Sequence, residues 1–106
     1  MSKQTVIVAG WYTVDPKKRD EAVASFKDIV IRARSAPGCL DFAITADPVD
    51  SDRINMFEFW ESEKNLNSWR TDSGPAKKIA PIRRMEVQKH VIQQSGPPFS
   101  RRPTKR

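Results

Sequence analysis

A chain of 106 residues and 12.1 kDa has room for one hydrophobic core, and at that size roughly two-thirds of the unfolded surface is buried on folding. With 38% hydrophobic and 30% charged residues, the composition is that of a globular domain rather than a disordered segment. The longest apolar run, residues 6–12, falls far short of the roughly 20 residues that span a bilayer, and Asp15-Pro16-Lys17 stands where a secretory signal would place small residues. One cysteine, Cys39, excludes an internal disulfide framework and a cysteine-rich metal site, and fits a cytoplasmic protein.

The net charge of +6 is unevenly placed. Residues 95–106 carry Arg101, Arg102, Lys105 and Arg106 and no acid, whereas residues 1–94 hold 15 bases against 13 acids. A fold that grips phosphate backbones concentrates its excess charge on a folded face. Here most of the excess hangs off the end, which argues against nucleic-acid binding by the body. The tail has three prolines and no periodicity, so it reads as a flexible arm following a domain of residues 1–94.

Residues 5–14 (TVIVAGWYTV) are rich in β-branched and aromatic side chains and read as a first strand. Both alternating sets are apolar: Val6, Val8 and Tyr12 on one side, Ile7, Ala9 and Trp11 on the other. A strand wetted on one face would alternate, so this one is expected to be covered on both. Asp15-Pro16 signals a helix start. Ala22, Val23, Phe26, Ile29, Val30 and Ala33 then recur at helical steps, predicting one amphipathic helix that Pro37-Gly38 stops. Residues 39–46 (CLDFAITA) alternate as a half-polar strand, residues 47–52 (DPVDSD) are turn chemistry, and residues 53–60 (RINMFEFW) complete a hairpin. Ser62 caps a short helix with Leu66 and Trp69 on one face. Residues 76–82 offer a further short turn or helix, limited by Pro81, before a fourth strand over residues 85–93.

The order β-α-β-β-α-β predicts an α+β fold, the ferredoxin-like arrangement of an antiparallel sheet with both helices on one face. Two helices cover only one face of four strands. A first strand that is apolar on both sides therefore needs a second lid, and the simplest is another copy of the same sheet, giving a two-fold homodimer.

Pro37-Gly38-Cys39, followed after the hairpin by Phe57-Glu58-Phe59-Trp60-Glu61-Ser62-Glu63 and Leu66, resembles the antibiotic biosynthesis monooxygenase (ABM) domain of the dimeric α+β barrel superfamily. The resemblance runs over roughly residues 4–94 and rests on Gly-Cys at the second strand and Glu-x-Trp-x-Ser at the end of the third. It implies a dimer with a pocket between sheet and helices. It also implies oxygenation of quinol-type aromatics by O₂ with no metal, flavin or other cofactor, since a deprotonated electron-rich phenol can pass an electron to O₂ directly. The sequence departs from the pattern at Trp69, where members often carry a histidine. The family's haem-degrading branch uses a first-strand asparagine and a histidine after the second-helix tryptophan. Here the first-strand position is Gly10 or Trp11, and no histidine lies between Trp69 and His90.

On this reading the pocket is lined by Tyr12, Trp69 and His90, with Asn55 and Trp11 as further candidates. His90, the only histidine, is the general-base candidate, or else a structural residue of the fourth strand. Tyr12 offers a hydroxyl to a developing oxyanion, or is a satisfied core residue. Trp60 reads as structural. Glu58, between Phe57 and Phe59, needs either a cationic partner across the dimer interface or, unpaired, gains a raised pKa and base character. No Gly-x-Gly-x-x-Gly, phosphate-loop, His-Glu-x-x-His or Gly-x-Ser-x-Gly motif is present. The expected function is a cofactor-independent monooxygenase acting on a small hydroxylated aromatic. The alternatives are a non-catalytic ligand-binding protein of the same fold and, third, nucleic-acid binding through the basic tail.

Overall fold

The computed structural model describes residues 4–74 and 79–99. Four strands, β1 (Val6–Thr13), β2 (Cys39–Ala46), β3 (Arg53–Trp60) and β4 (Arg84–Val91), alternate with helical segments α1 (Arg19–Ser25), α2 (Lys27–Arg34) and α3 (Glu63–Asp72). The strands form one sheet of order β2-β3-β1-β4, antiparallel throughout. This is the ferredoxin-like α+β arrangement that the element order predicts. Lys77, Lys78 and the basic residues of the tail lie outside the described residues.

The register sorts every strand residue onto one of two faces. Val6, Val8 and Tyr12 of β1 pair with Trp60, Glu58 and Ile54 of β3. Glu58 pairs onward with Phe42 of β2. All seven lie on the helix-covered face and are buried. Trp60, Ile54, Val6 and Leu66 are less than 2% exposed, and each such side chain contributes roughly 1.5–3 kcal/mol by leaving water. The opposite face presents Ile7, Ala9 and Trp11 of β1, Ala43 of β2, and Phe57 and Phe59 of β3. None of these six is fully buried. Both sides of β1 are therefore apolar, and helices shield one of them.

The helix predicted between Asp15 and Pro37 is two segments, for a local reason. At the junction the Ser25 hydroxyl donates to the Ala22 carbonyl at 2.6 Å, and Phe26 N–H bonds back three residues to Val23. The serine competes for a helix carbonyl and the ladder tightens for one turn before resuming at Val30 N–H to Phe26. Asp15 does not cap the helix. Its carboxylate accepts from Lys17 N–H at 2.9 Å in a local turn, and α1 begins after Lys18 with no side-chain cap. Ser62 does cap α3, accepting from Asn65 N–H. Residues 79–82 are not helical, so the short helix considered there is absent from its described part. Ile79 and Ala80 pack instead against Tyr12, Val14, Ala22 and Ile54.

Two residues anchor this frame. The Arg19 guanidinium donates to the carbonyls of Asp47 (3.3 Å), Asp50 (3.0 Å) and Arg53 (3.0 Å), tying the start of α1 to the β2–β3 turn. Inside that turn the Asp47 carboxylate accepts from Val49 and Asp50 N–H and from the Asn55 amide. These bonds, led by the one from Asp50, lower its pKa from 3.8 to about 2. Gly10, at φ +150° in the middle of β1, lies against β4 so closely that a Cβ would stand 2.0 Å from the Glu86 carbonyl oxygen.

Gly10→Ala must push β4 away or leave the glycine-only backbone region. We expect a loss of about 2–3 kcal/mol or more in urea unfolding, with the far-UV spectrum retained in the surviving native fraction. Asp47 is ionised in the folded chain at pH values where the unfolded chain has taken up its proton. Its contribution is complete above about pH 4 and disappears as pH falls toward about 2. Asp47→Asn should therefore flatten the acid limb of stability between those values, measured by thermal melts across the range.

Candidate functional site

The β3 strand ends by aiming Glu58 and Trp60 toward the helices, and Ser62 then starts α3 at once. Leu66 and Trp69, three residues apart, fall on the inner face of α3. Trp69 stacks on Trp60 (centroids 6.1 Å apart, interplanar angle 29°) and meets Phe42 of β2 edge-on at 6.0 Å. From α2, the Arg32 guanidinium lies 5.9 Å from the centre of the Trp69 ring. Gly38, at φ +80°, lets the turn after α2 press on the start of α3, since a Cβ there would come within 2.2 Å of the Asn65 side chain. The result is a groove of about 490 Å³ between α2 and α3, lined by Arg32, Pro37, Asn65, Ser68, Trp69 and Asp72 among others. That volume lies within the usual range for small-molecule sites. It pairs one half-buried indole wall with a cation, a carboxylate, an amide and a hydroxyl.

Below the groove lies the one buried charged residue among the described residues, Glu58, 7% exposed. Its Oε1 accepts from Trp60 Nε1–H at 3.1 Å. No described cation comes within ion-pair distance of it. Burial pushes its pKa above the usual carboxylate range, while the Trp60 bond and the charge of Arg70 pull the other way. The sequence reading of Glu58 as a partner for a cation across a dimer interface is corrected: its register with Val8 and Phe42 turns it to the helix side. Trp60 is fully buried in the core cluster with Val6, Val8, Phe42 and Leu66.

The residues expected to line one pocket occupy three places. Trp69 walls the groove. Tyr12 is on the helix face but two register steps from Glu58 along the strand, beneath Ala80, and burial raises its phenol pKa. His90, Trp11 and Asn55 are on the open face, because His90 pairs with Ile7, and Trp11 pairs with Asn55. Side chains one residue apart on a strand point to opposite sides, so Tyr12 and His90 cannot share a site within one chain. On the open face Trp11 lies between two guanidinium groups, with Arg53 4.7 Å and Arg84 5.2 Å from its ring centre. Asn55 accepts from Arg53 Nε at 2.7 Å and donates to Asp47 at 2.8 Å. Cys39 packs partly buried against the core, and burial raises its thiol pKa.

Arg32, Asn65, Ser68 and Asp72 did not stand out in the sequence. Residues 65, 68, 69 and 72 share a flank of one helix by their spacing, but nothing local says that Arg32 of α2 lines the same groove. Among the described residues no three His, Cys, Asp or Glu side chains gather as a metal-binding group, and no helix is long and apolar enough to cross a membrane.

The raised pKa of Glu58 carries a sign. Folding favours its protonated form, so stability from this residue is present at low pH and is lost as pH rises past 4.5 through the raised value. Glu58→Gln keeps an acceptor for Trp60 and removes the buried charge. It should melt higher than the native protein at pH 7, with the difference closing toward pH 4.

Residues 5–77 match the family described as antibiotic biosynthesis monooxygenase. An uncharacterized protein of Synechocystis sp. is 29% identical over 62 residues, which is 58% of this chain and 42% of that protein, so the match spans less than half of that relative's length. A solved structure from Chloroflexus aurantiacus, named as a candidate antibiotic biosynthesis monooxygenase, is 25% identical with a TM-score of 0.63 over 89% of this chain and 97% of that one. Two more share the fold. A Bacteroides thetaiotaomicron protein of unknown function has a TM-score of 0.68 at 14% identity, over 86% of this chain and 100% of that one. A heme-degrading protein of Mycobacterium tuberculosis has 0.61 at 18%, over 90% and 100%. With the family match covering well over half of its length on a ferredoxin-like frame, this chain belongs to the antibiotic biosynthesis monooxygenase family.

Proposed function

We propose that the protein is a cofactor-independent monooxygenase that binds a small, planar, hydroxylated aromatic in the groove between α2 and α3. The observation that carries this is the Trp69 wall, backed by Trp60 and Phe42, with Arg32 beside it. A planar ring stacks on the indole. Asp72 offers an acceptor for the phenolic proton, and Arg32 a permanent cation for the phenolate that forms. The electron-rich ring then reduces O₂, keeping one oxygen atom while the other leaves as water. A quinol supplies all the electrons required.

The working form we propose is a homodimer clasped through the open sheet faces. Ile7, Trp11, Phe57 and Phe59 give that face an apolar centre, with the Phe57 and Phe59 rings edge to face at 6.3 Å. In this assembly His90, Asn55 and the Trp11–Arg53–Arg84 stack belong to the interface. Haem degradation, the activity named for the Mycobacterium tuberculosis protein, does not fit this chain. Its single histidine lies on the sheet face turned away from Trp69 and cannot ligate a group held there. The second reading, a ligand-binding protein without catalysis, draws support from the described groove walls, which hold no histidine.

Purified protein supplied with 1,4-dihydroxynaphthalene should consume O₂ above the spontaneous rate and yield 2-hydroxy-1,4-naphthoquinone and water, with Trp69→Ala reducing the rate at least tenfold. Binding with no extra O₂ uptake supports the second reading instead. Phe57→Glu with Phe59→Glu should convert a sedimenting dimer at micromolar concentration into monomer. A compact native monomer at that concentration would remove the clasped-sheet proposal.

A further inference from the structure

We propose that Glu58 is a positioning residue for the groove: by accepting the Trp60 indole N–H it holds Trp60 in the plane on which Trp69 stacks, and so sets the wall that a planar ligand meets. This rests on the reading that the groove binds a planar aromatic.

A carboxylate sits on the helix-covered face between Val8 and Phe42, 7% exposed and with no ion pair among the described residues. An apolar side chain of similar volume would avoid the desolvation penalty there. What it could not do is accept a hydrogen bond. Trp60 is fully buried, and Glu58 Oε1, at 3.1 Å, is the described acceptor for its Nε1–H. Without it that donor is orphaned in the core, and the indole must tilt or draw in water to satisfy it.

Trp60 has no contact with the groove of its own; its effect passes through Trp69. The two indoles lie 6.1 Å apart at 29°, and the Trp69 ring is also braced edge-on by Phe42, the cross-strand neighbour of Glu58. A tilt of Trp60 therefore removes the stacked support of Trp69 while the T-shaped contact with Phe42 remains. The ring that Arg32 overlies then loses its fixed plane. The chain of support is carboxylate, indole N–H, stacked indole, groove.

The test compares Glu58→Leu and Glu58→Gln, with 1-naphthol as the probe and the near-ultraviolet circular dichroism of the coupled tryptophans as a readout independent of any ligand. Glu58→Leu should lose that signal and bind 1-naphthol about tenfold more weakly, while Glu58→Gln, which keeps an acceptor, stays within about twofold of the native protein in both. A folded Glu58→Leu protein with unchanged near-ultraviolet signal and unchanged affinity overturns the proposal. If Glu58→Leu does not fold, the native protein still decides the matter. Its Trp60 indole proton should resonate downfield and exchange slowly, and exchange at the rate of free indole overturns the proposal. Should 1-naphthol fail to bind the native protein while the near-ultraviolet signal depends on Glu58 as described, the positioning role stands and the ligand reading falls.

Discussion

A pleated sheet has two faces, and three helical segments on one side leave the other to be settled by different means. Everything about this protein follows from that asymmetry. On the covered face the alternation of β1 and β3 lays down Val6, Val8, Ile54 and Trp60 as a core against Leu66 and Ala33. On the other face the same two strands present Ile7, Trp11, Phe57 and Phe59, while the described helices pack on the opposite side. The proposed clasp between two sheets would take that apolar surface out of water. The open face is not uniformly apolar. The β4 strand contributes Arg84, Glu86, Gln88 and His90 to it, and Trp11 lies between Arg53 and Arg84, so its polar margin runs along one edge.

The covered face contains one exception to its own rule, and that exception is joined through Trp60 to the Trp69 wall of the groove. Glu58 among aromatic and branched side chains is electrostatically unfavourable by itself. Its Oε1 accepts the one buried indole N–H beside it, and burial raises its pKa, so the fold favours the protonated carboxyl more than water does. The tryptophans, the phenylalanine and the carboxyl group then form a single unit linking β2, β3 and α3. Arg32 joins it from α2. The groove is thus built on side chains already committed to the core, which limits how far its wall can move.

Much of the fold was legible in local pattern. The bounds of β2 and β3 followed from alternation and from the Asp- and Pro-rich turn between them, and Ser62 announced α3 because a hydroxyl before a helical stripe satisfies an orphan N–H. The division of the first helix at Phe26 was not legible. A periodic stripe is the same whether the ladder is continuous or tightened for one turn by the Ser25 hydroxyl. Asp15 misled for a related reason, since aspartate before proline serves a local turn as readily as a cap. The site was less legible than the fold. Tyr12, His90, Trp69, Asn55 and Trp11 stand out by their chemistry, and chemistry carries no information about which face a side chain takes.

The sequence by itself determined the order of strands and helical regions, the two-sided apolar character of β1, the family resemblance at Gly38-Cys39 and Glu58-Phe59-Trp60-Glu61-Ser62, and hence the fold. These are properties of residues close together in the chain. Tertiary structure alone decided that Glu58 and Trp60 face inward to meet Trp69, that His90 and Tyr12 are separated by the thickness of the sheet, and that Arg32 reaches α3. Those facts depend on strand register and helix placement, where a shift of one residue would exchange the faces and leave every local preference unchanged.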